Sequence, residues 1–223
     1  MILYHGSDKI IKSPAFGVGN PKNDYGLGFY CTEHLDLAKE WACSEGRDGF
    51  ANMYTLNLED LKVLDLQSDD YHILNWLAIL LQNRTFVLKN GLPAEAHNYI
   101  LENFLPSYRD YDVIRGYRAD DSYFAFTQDF INNTISLRQL RKAMYLGKLG
   151  EQIVIKSKRA FSYLKFEKPI VAANEVYYPN KVARDRSARN AFRIEKTLTP
   201  VIDDVYVIDI IRNGWKNDDT RLR

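Results

Sequence analysis

Hydrophobic and polar residues follow two repeating patterns along this chain, and together they predict its strands and helices. Alternation with a period of two, rich in β-branched and aromatic residues, is typical of strands. It predicts strands over residues 1–4, 26–32, 52–58, 62–66, 112–117 and 151–157. Apolar residues at helical spacing predict helices at about 35–44, 71–105 (with a second helix near 94–104) and 136–146.

The order of these elements predicts an α+β protein. Strands and helices are mixed along the chain, and a helical insertion at about 68–110 interrupts the strands. We predict one domain over 1–166 and a C-terminal extension over 167–223 packed on that domain. The pattern at 204–211 fits a strand or a helix equally well. Ser136 is predicted to cap the helix that follows it.

Composition is that of a globular protein and gives little indication of a partner. The 223 residues are 46% hydrophobic and 26% charged, with a formal net charge of +1, so no global attraction to nucleic acid or membrane is expected. The apolar runs are too short to span a bilayer, and the N-terminus lacks the features of a secretory signal. Two cysteines and four dispersed histidines predict neither a disulfide framework nor a metal site, and a cytoplasmic location is the default expectation.

One segment departs from this balance of charge. Residues 181–196 carry six basic side chains against two acidic ones, and Arg186, Arg189 and Arg193 share one face at helical spacing. Such a run is usually a solvated helix face, although it could also bind a phosphate-bearing partner.

A glycine-rich, aromatic stretch is the first candidate for chemistry. Gly26-Leu-Gly28-Phe-Tyr30 precedes a predicted helix that carries Trp41, eleven residues after Tyr30. Glycines let a backbone approach a flat ligand closely, and two aromatic rings could clamp a planar group. The same residues also fit an ordinary tight turn followed by core aromatics.

Two further motifs flank that stretch, and the whole set resembles a known superfamily. His5-Gly6 ends the first strand and Glu151-Gln-Ile-Val-Ile forms a late one. In this order the motifs resemble the ADP-ribosyltransferase superfamily, in its diphtheria-toxin-like and poly(ADP-ribose)-polymerase-like branch. Over residues 2–166 the chain looks closest to a bacterial domain family of unknown function with that fold. The resemblance implies a core of two short sheets split by a cleft.

The resemblance also implies which residues would bind NAD. His5 would hydrogen-bond a ribose hydroxyl, and Gly6 would offer backbone groups to the nicotinamide carboxamide. Tyr30 and Trp41 would stack on opposite faces of the pyridinium, which gains from aromatic faces by cation–π attraction. The predicted NAD-binding residues are His5, Gly6, Ser7, Gly28, Tyr30 and Trp41.

The acidic position of the superfamily's His-Tyr-Glu triad has two candidates here. Glu151 matches the polymerase-like strand motif, whereas the bacterial family resemblance favours Gln152. Neighbouring strand residues point to opposite faces, so only one can face the cleft. We favour Gln152 as the inward residue and keep Glu151 as the alternative. A glutamine only hydrogen-bonds, so the acceptor would need activation elsewhere, for example by Asp120 or Asp121.

These expectations amount to an NAD-dependent mono-ADP-ribosyltransferase. His5, Tyr30 and one of Glu151 and Gln152 are its predicted catalytic residues. The resemblance implies a bacterial intracellular toxin or modifier, an unknown ADP-ribose acceptor (protein, nucleic acid or small molecule) and a small antitoxin-like partner. Two alternatives stay open. The protein would bind NAD or ADP-ribose without turnover, or it would bind nucleic acid through the 181–196 segment.

Overall fold

Seven strands and eight α-helices make up the described part of the chain. The computed structural model describes residues 1–88, 90–119, 121–146, 150–198 and 201–223, with the backbone alone at 121–123. The strands are β1 Ile2–Ser7, β2 Phe29–Cys31, β3 Gly49–Leu56, β4 Val63–Asp65, β5 Val113–Tyr117, β6 Glu151–Ile155 and β7 Leu164–Ala172. The helices are α1 Leu35–Ala42, α2 Ile73–Asn83, α3 Leu92–Phe104, α4 Asp121–Ile131, α5 Leu137–Ala143, α6 Lys158–Ser162, α7 Asn174–Thr197 and α8 Val207–Arg212.

The strands form two separate sheets, which makes the protein a mixed α+β protein as predicted. One sheet has the order β1-β3-β7 and is antiparallel throughout. The other has the order β2-β6-β5-β4, antiparallel except for the parallel pair β4 and β5. A parallel pair needs a crossover connection. Helices α2 and α3, in the stretch predicted as a helical insertion, supply it.

The two sheets meet where β1 passes the end of β2. Tyr4 and Thr32 exchange backbone hydrogen bonds of 2.8 and 2.9 Å, and beyond this bridge the sheets separate. Apolar side chains from both sheets fill the space between them. This cluster comprises Leu3, Cys31, Leu56, Val113, Ile153, Ile155 and Ala160. Joined at one end, the two sheets leave room for a cleft at the other.

The opposite face of the four-stranded sheet carries the main core. Helix α2 is buried along nearly its whole length, and the Trp76 indole is 1% exposed. Val154 and Ile114 contribute to this core, whereas their neighbours Ile153 and Val113 belong to the cluster between the sheets. Alternate strand residues thus face opposite sides. Gln152 shares its face with Val154, on the helical side.

Several predicted features are resolved by the structure. Ser136 caps α5, because its hydroxyl accepts a 3.2 Å hydrogen bond from the Gln139 amide, as predicted. The ambiguous segment at 204–211 contains the helix α8. Strand β7 runs across residue 166, so the predicted domain boundary falls inside a strand of the first sheet. The basic segment 181–196 lies within the longer helix α7.

Candidate functional site

A cavity of about 690 Å³ lies between β1, β2, β6, α1 and α7. Five of the residues predicted from sequence line it, and twelve further residues complete the wall. The predicted ones are His5, Gly6, Tyr30, Trp41 and Gln152. The others are Asn23, Asp24, Glu40, Arg84, Arg118, Ala119, Tyr178, Lys181, Val182, Arg184, Asp185 and Arg189.

The backbone of Gly6 faces this cavity because of the way β1 is paired. Met1 exchanges both of its backbone hydrogen bonds with Leu56 of β3, at 2.8 and 3.0 Å. The backbone N–H and C=O of Tyr4 point to the opposite edge of β1, where they form hydrogen bonds with Thr32. Bonding edges alternate residue by residue along a strand, so the N–H and C=O of Gly6 point to the edge used by Tyr4. This edge lies past the bridge, where the cavity begins.

A side chain is excluded at residue 6 for a second reason, which the sequence did not indicate. A Cβ there would lie 2.1 Å from the Ala38 carbonyl oxygen and 2.8 Å from the Ala42 nitrogen. Glycine therefore lets α1 pack directly on β1, and this contact positions Trp41 beside the cavity. The prediction invoked only the approach of a ligand.

His5 is held as a neutral imidazole with one free ring nitrogen. Its Nδ1 lies 2.7 Å from the Tyr30 carbonyl oxygen, which can only accept, so Nδ1 donates and Nε2 is left as an acceptor. Burial lowers the pKa of His5, and the bond to the carbonyl offsets this in part. The ring also stacks on Phe29 with centroids 4.2 Å apart. His5 can thus accept a hydrogen bond from a ligand hydroxyl.

The Tyr30 ring is fixed from both ends of its hydroxyl group. The hydroxyl donates to the Gly26 carbonyl and accepts a 3.1 Å hydrogen bond from the Tyr25 amide. Burial raises the pKa of Tyr30, so the phenol stays neutral. Because its hydroxyl is used internally, Tyr30 offers its ring rather than a proton to the cavity.

Trp41 presents an indole that is already covered by a cation. The Arg118 guanidinium carbon lies 4.3 Å from the centroid of the Trp41 ring, and both side chains line the cavity. The indole Nε1 is buried without a hydrogen-bond partner. Tyr30 and Trp41 border the same cavity.

Gln152 lines the cavity and Glu151 does not. Tyr30 lies opposite Val154 in the β2–β6 register, so Tyr30 and Gln152 are diagonal neighbours on one face. Gln152 is 7% exposed, and its Oε1 is buried without a hydrogen-bond partner. Glu151 instead pairs with Arg115 on the other face. The inward residue of this strand is therefore the glutamine.

Four other predicted positions lie away from the cavity lining or outside the described residues. A Cβ at Gly28 would lie 2.6 Å from Val154 Cγ1, so this glycine allows the chain to pass over β6. The Ser7 hydroxyl accepts a 3.2 Å bond from the Lys9 amide at the end of β1. Asp120 and the side chain of Asp121 lie outside the described residues.

The charged wall of the cavity was predicted only in part, because Lys181, Arg184 and Arg189 belong to the basic segment 181–196, whereas Asp24, Glu40, Arg84 and Arg118 were not predicted. Among the described residues it holds five cations and three acids. Asp24 accepts hydrogen bonds from Arg84 at 2.8 Å and from the Ala119 amide at 2.9 Å, and burial raises its pKa. Glu40 is 3% exposed and accepts two 2.8 Å bonds from Arg184. These residues come from separate loops and helices, and no motif connects them.

Three of the six basic side chains at residues 181–196 of α7 form ion pairs. Arg184 pairs with Glu40, Lys196 with Asp129 at 2.8 Å, and Arg189 with Asp185 at 2.9 Å. Lys181 and Arg189 turn towards the cavity. Helix α7 therefore closes one side of the site.

Two properties of the described residues bear on whether the protein belongs to a membrane-spanning or a metal-binding class. No described helix is both long and apolar enough to cross a membrane. No cluster of three or more His, Cys, Asp or Glu side chains suited to a metal ion occurs in the same part of the chain.

The fold and the site define a mixed α+β protein with a polar cavity lined by strands of both sheets and by α1 and α7. The family described as "Protein of unknown function (DUF3990)" matches residues 1–166, and the chain belongs to this family. No curated protein and no solved structure matches the chain. The family description names no activity, so the resemblance to ADP-ribosyltransferases stays a prediction.

Proposed function

We propose that this protein is an NAD-dependent mono-ADP-ribosyltransferase. The observation that carries the proposal is the convergence of His5, Tyr30, Trp41 and Gln152 on one cavity. These residues come from three strands and a helix. They belong to the motifs on which the resemblance to the ADP-ribosyltransferases is based. Two short sheets joined at one end and separated around a cleft support a core like that of the ADP-ribosyltransferases.

The free hydrogen-bonding groups of the cavity suit the nicotinamide ribose half of NAD. The unpaired edge of Gly6 offers one donor and one acceptor, which is what a primary carboxamide needs. His5 Nε2 and Gln152 Oε1 are acceptors suited to ribose hydroxyls. A buried polar atom without a partner costs about 1–3 kcal/mol, so a ligand that satisfies Gln152 gains by that amount.

In the proposed reaction the bond between nicotinamide and ribose C1′ breaks, and its electron pair leaves with neutral nicotinamide. An acceptor then bonds to C1′ and loses a proton. Gln152 can orient the ribose but cannot take that proton. The described carboxylates that line the cavity from the same protein are Asp24, Glu40 and Asp185. Each of these carboxylates is paired with an arginine of the same wall, so none of them is assigned as the base.

A second candidate is binding of NAD without turnover. It is favoured by one observation, the presence of an amide rather than a carboxylate at the inward position of β6. Calorimetry would then detect NAD binding, while no nicotinamide is released.

The biological setting is proposed from the resemblance alone. It would be a bacterial cytoplasmic toxin or modifier with an unknown acceptor, held in check by a small antitoxin-like protein. Growth arrest on expression of the chain alone, relieved by a neighbouring gene, is the expected result.

Labelled NAD tests the activity directly. We expect wild-type protein to release nicotinamide and to label a component of whole-cell lysate. The double variant His5→Ala/Tyr30→Ala should lose both signals, because it removes the ribose acceptor and one face of the ring clamp. Labelling unchanged in that variant would refute the assignment of this cavity.

A further inference from the structure

The Arg118 side chain occupies the ring surface that the proposed ligand needs. Its guanidinium carbon lies 4.3 Å from the Trp41 centroid, a distance typical of a cation–π contact. Guanidinium and pyridinium are both flat cations, and both gain from the face of an indole. Both side chains line the cavity, and a ring that stacks on the face of Trp41 covered by Arg118 must displace the guanidinium.

Resting on the proposed function, we propose that Arg118 selects for ligands that carry a cationic ring and a diphosphate together. When a pyridinium replaces the guanidinium on Trp41, one cation–π contact is lost and another forms. This replacement alone therefore contributes little binding free energy. A diphosphate offers the displaced arginine bidentate hydrogen bonds. A neutral ring, such as that of the reduced dinucleotide, would lose the cation–π contact on exchange.

The net charge of the cavity favours binding of the diphosphate. The described lining holds two more cations than acids, because Asp24, Glu40 and Asp185 face five basic side chains. The α7 wall contributes Lys181 to the same cavity. A ligand with two phosphate groups neutralises this excess, whereas a nucleoside does not.

Calorimetry with three probes tests the proposal on the full chain. The probes are oxidised NAD, reduced NAD, and nicotinamide riboside, which has the cationic ring without phosphates. For Arg118→Ala we expect about tenfold weaker binding of oxidised NAD and about tenfold tighter binding of the riboside. The two affinities must shift in opposite directions, because a merely structural role of Arg118 would weaken the binding of both ligands. Wild-type protein should prefer oxidised over reduced NAD by about tenfold or more.

Arg221→Ala is the matched control. The Arg221 guanidinium lies 4.1 Å from the centroid of Trp215, and neither residue lines the cavity, so removing it should leave all three affinities unchanged. The proposal for Arg118 is wrong if Arg118→Ala binds the riboside no more tightly than wild type does. It is also wrong if neither protein binds the riboside. If wild-type protein binds no NAD at all, the proposed function fails and this inference fails with it.

Discussion

Glu151 and Gln152 are sequence neighbours on β6, yet they belong to different parts of the molecule. Glu151 holds Arg115 on one face of the sheet, while Gln152 borders the cavity on the other. The superfamily resemblance reduced the choice to these two residues and favoured Gln152, and strand geometry allows only one of them to point inward. The pairing register of β6 with β2 then determines which one it is.

A pair of variants tests this assignment at single-residue resolution. Gln152→Glu places a carboxylate where it can contact ribose and take a proton, so we expect nicotinamide release to rise by about a hundredfold. Glu151→Gln should change release by less than about twofold and the free energy of unfolding by at most about 1 kcal/mol, because its ion pair is partly exposed. Loss of activity in Glu151→Gln alone would contradict the assignment.

His5 makes the stability of the protein depend on pH. Its pKa in the folded protein lies below the ordinary value of 6.5, so below that pH the unfolded chain binds more protons. The free energy of unfolding should therefore fall as the pH drops below 6.5, by at most about 1.4 kcal/mol per pH unit, until the folded form also binds its proton.

Urea denaturation between about pH 5 and 8 measures this effect. His5→Gln cannot titrate and should lose less stability on acidification than wild type. His72, whose pKa burial also lowers, titrates in both proteins, so the difference between them isolates His5. Parallel losses in the two proteins would show that His5 does not contribute.

At the scale of elements, the contact between β1 and α1 positions two walls of the cavity. A Cβ added at Gly6 would lie 2.1 Å from the Ala38 carbonyl oxygen, which is helix backbone and cannot turn aside. We expect Gly6→Ala to lower the free energy of unfolding by about 1–3 kcal/mol, as overpacking does. The neighbouring control Ser7→Ala should stay within about 0.5 kcal/mol in the same urea titration. Equal stability of the two variants would mean that α1 does not pack as described.

The α1–α7 contact depends on the ion pair between Glu40 and Arg184. Their side chains are 4% and 27% exposed, and two 2.8 Å hydrogen bonds join them. A double-mutant cycle with alanine should give a coupling free energy of about 1–3 kcal/mol. The exposed pair Asp185 and Arg189 on α7 is the control, with an expected coupling of about 0.3–0.5 kcal/mol. Similar couplings in both cycles would contradict a special role for the buried pair.

Helices with a clear apolar face were predictable, and elements without one were not. Helices α1, α2 and α3 lie where the helical period placed them. Strand β7 was missed because it is an exposed edge strand that contains Pro169, a residue tolerated only at such edges. Helix α7 begins at Asn174, ahead of the predicted segment, and Pro179 in its early turns would normally indicate a break.

At the scale of the whole molecule, the cavity combines residues that motifs reveal with residues that only folding brings together. His5, Tyr30, Trp41 and Gln152 belong to motifs and could be predicted. Asp24 and Arg84 could not, because they come from distant segments and meet only through an ion pair and loop contacts. Arg184 belongs to the predicted basic segment, but its pairing with Glu40 in the wall was not predicted. The α7 wall also lies outside residues 1–166, where the family match ends.

This arrangement places part of the C-terminal region in the wall of the cavity. Helix α7 supplies Lys181, Arg184 and Arg189 to the wall and packs against α1 through a buried carboxylate. The part matched by the family therefore contains the proposed nicotinamide end of the site, while the charged wall is completed by the segment that follows it.

A crystal structure of the protein soaked with NAD is the most direct test of the central claim. The account predicts the nicotinamide ring between the side chains of Tyr30 and Trp41, its carboxamide on the backbone of Gly6, and ribose hydroxyls on His5 Nε2 and Gln152 Oε1. Density for NAD at any other place on the molecule, or an empty cavity at saturating NAD with the protein intact, would contradict it.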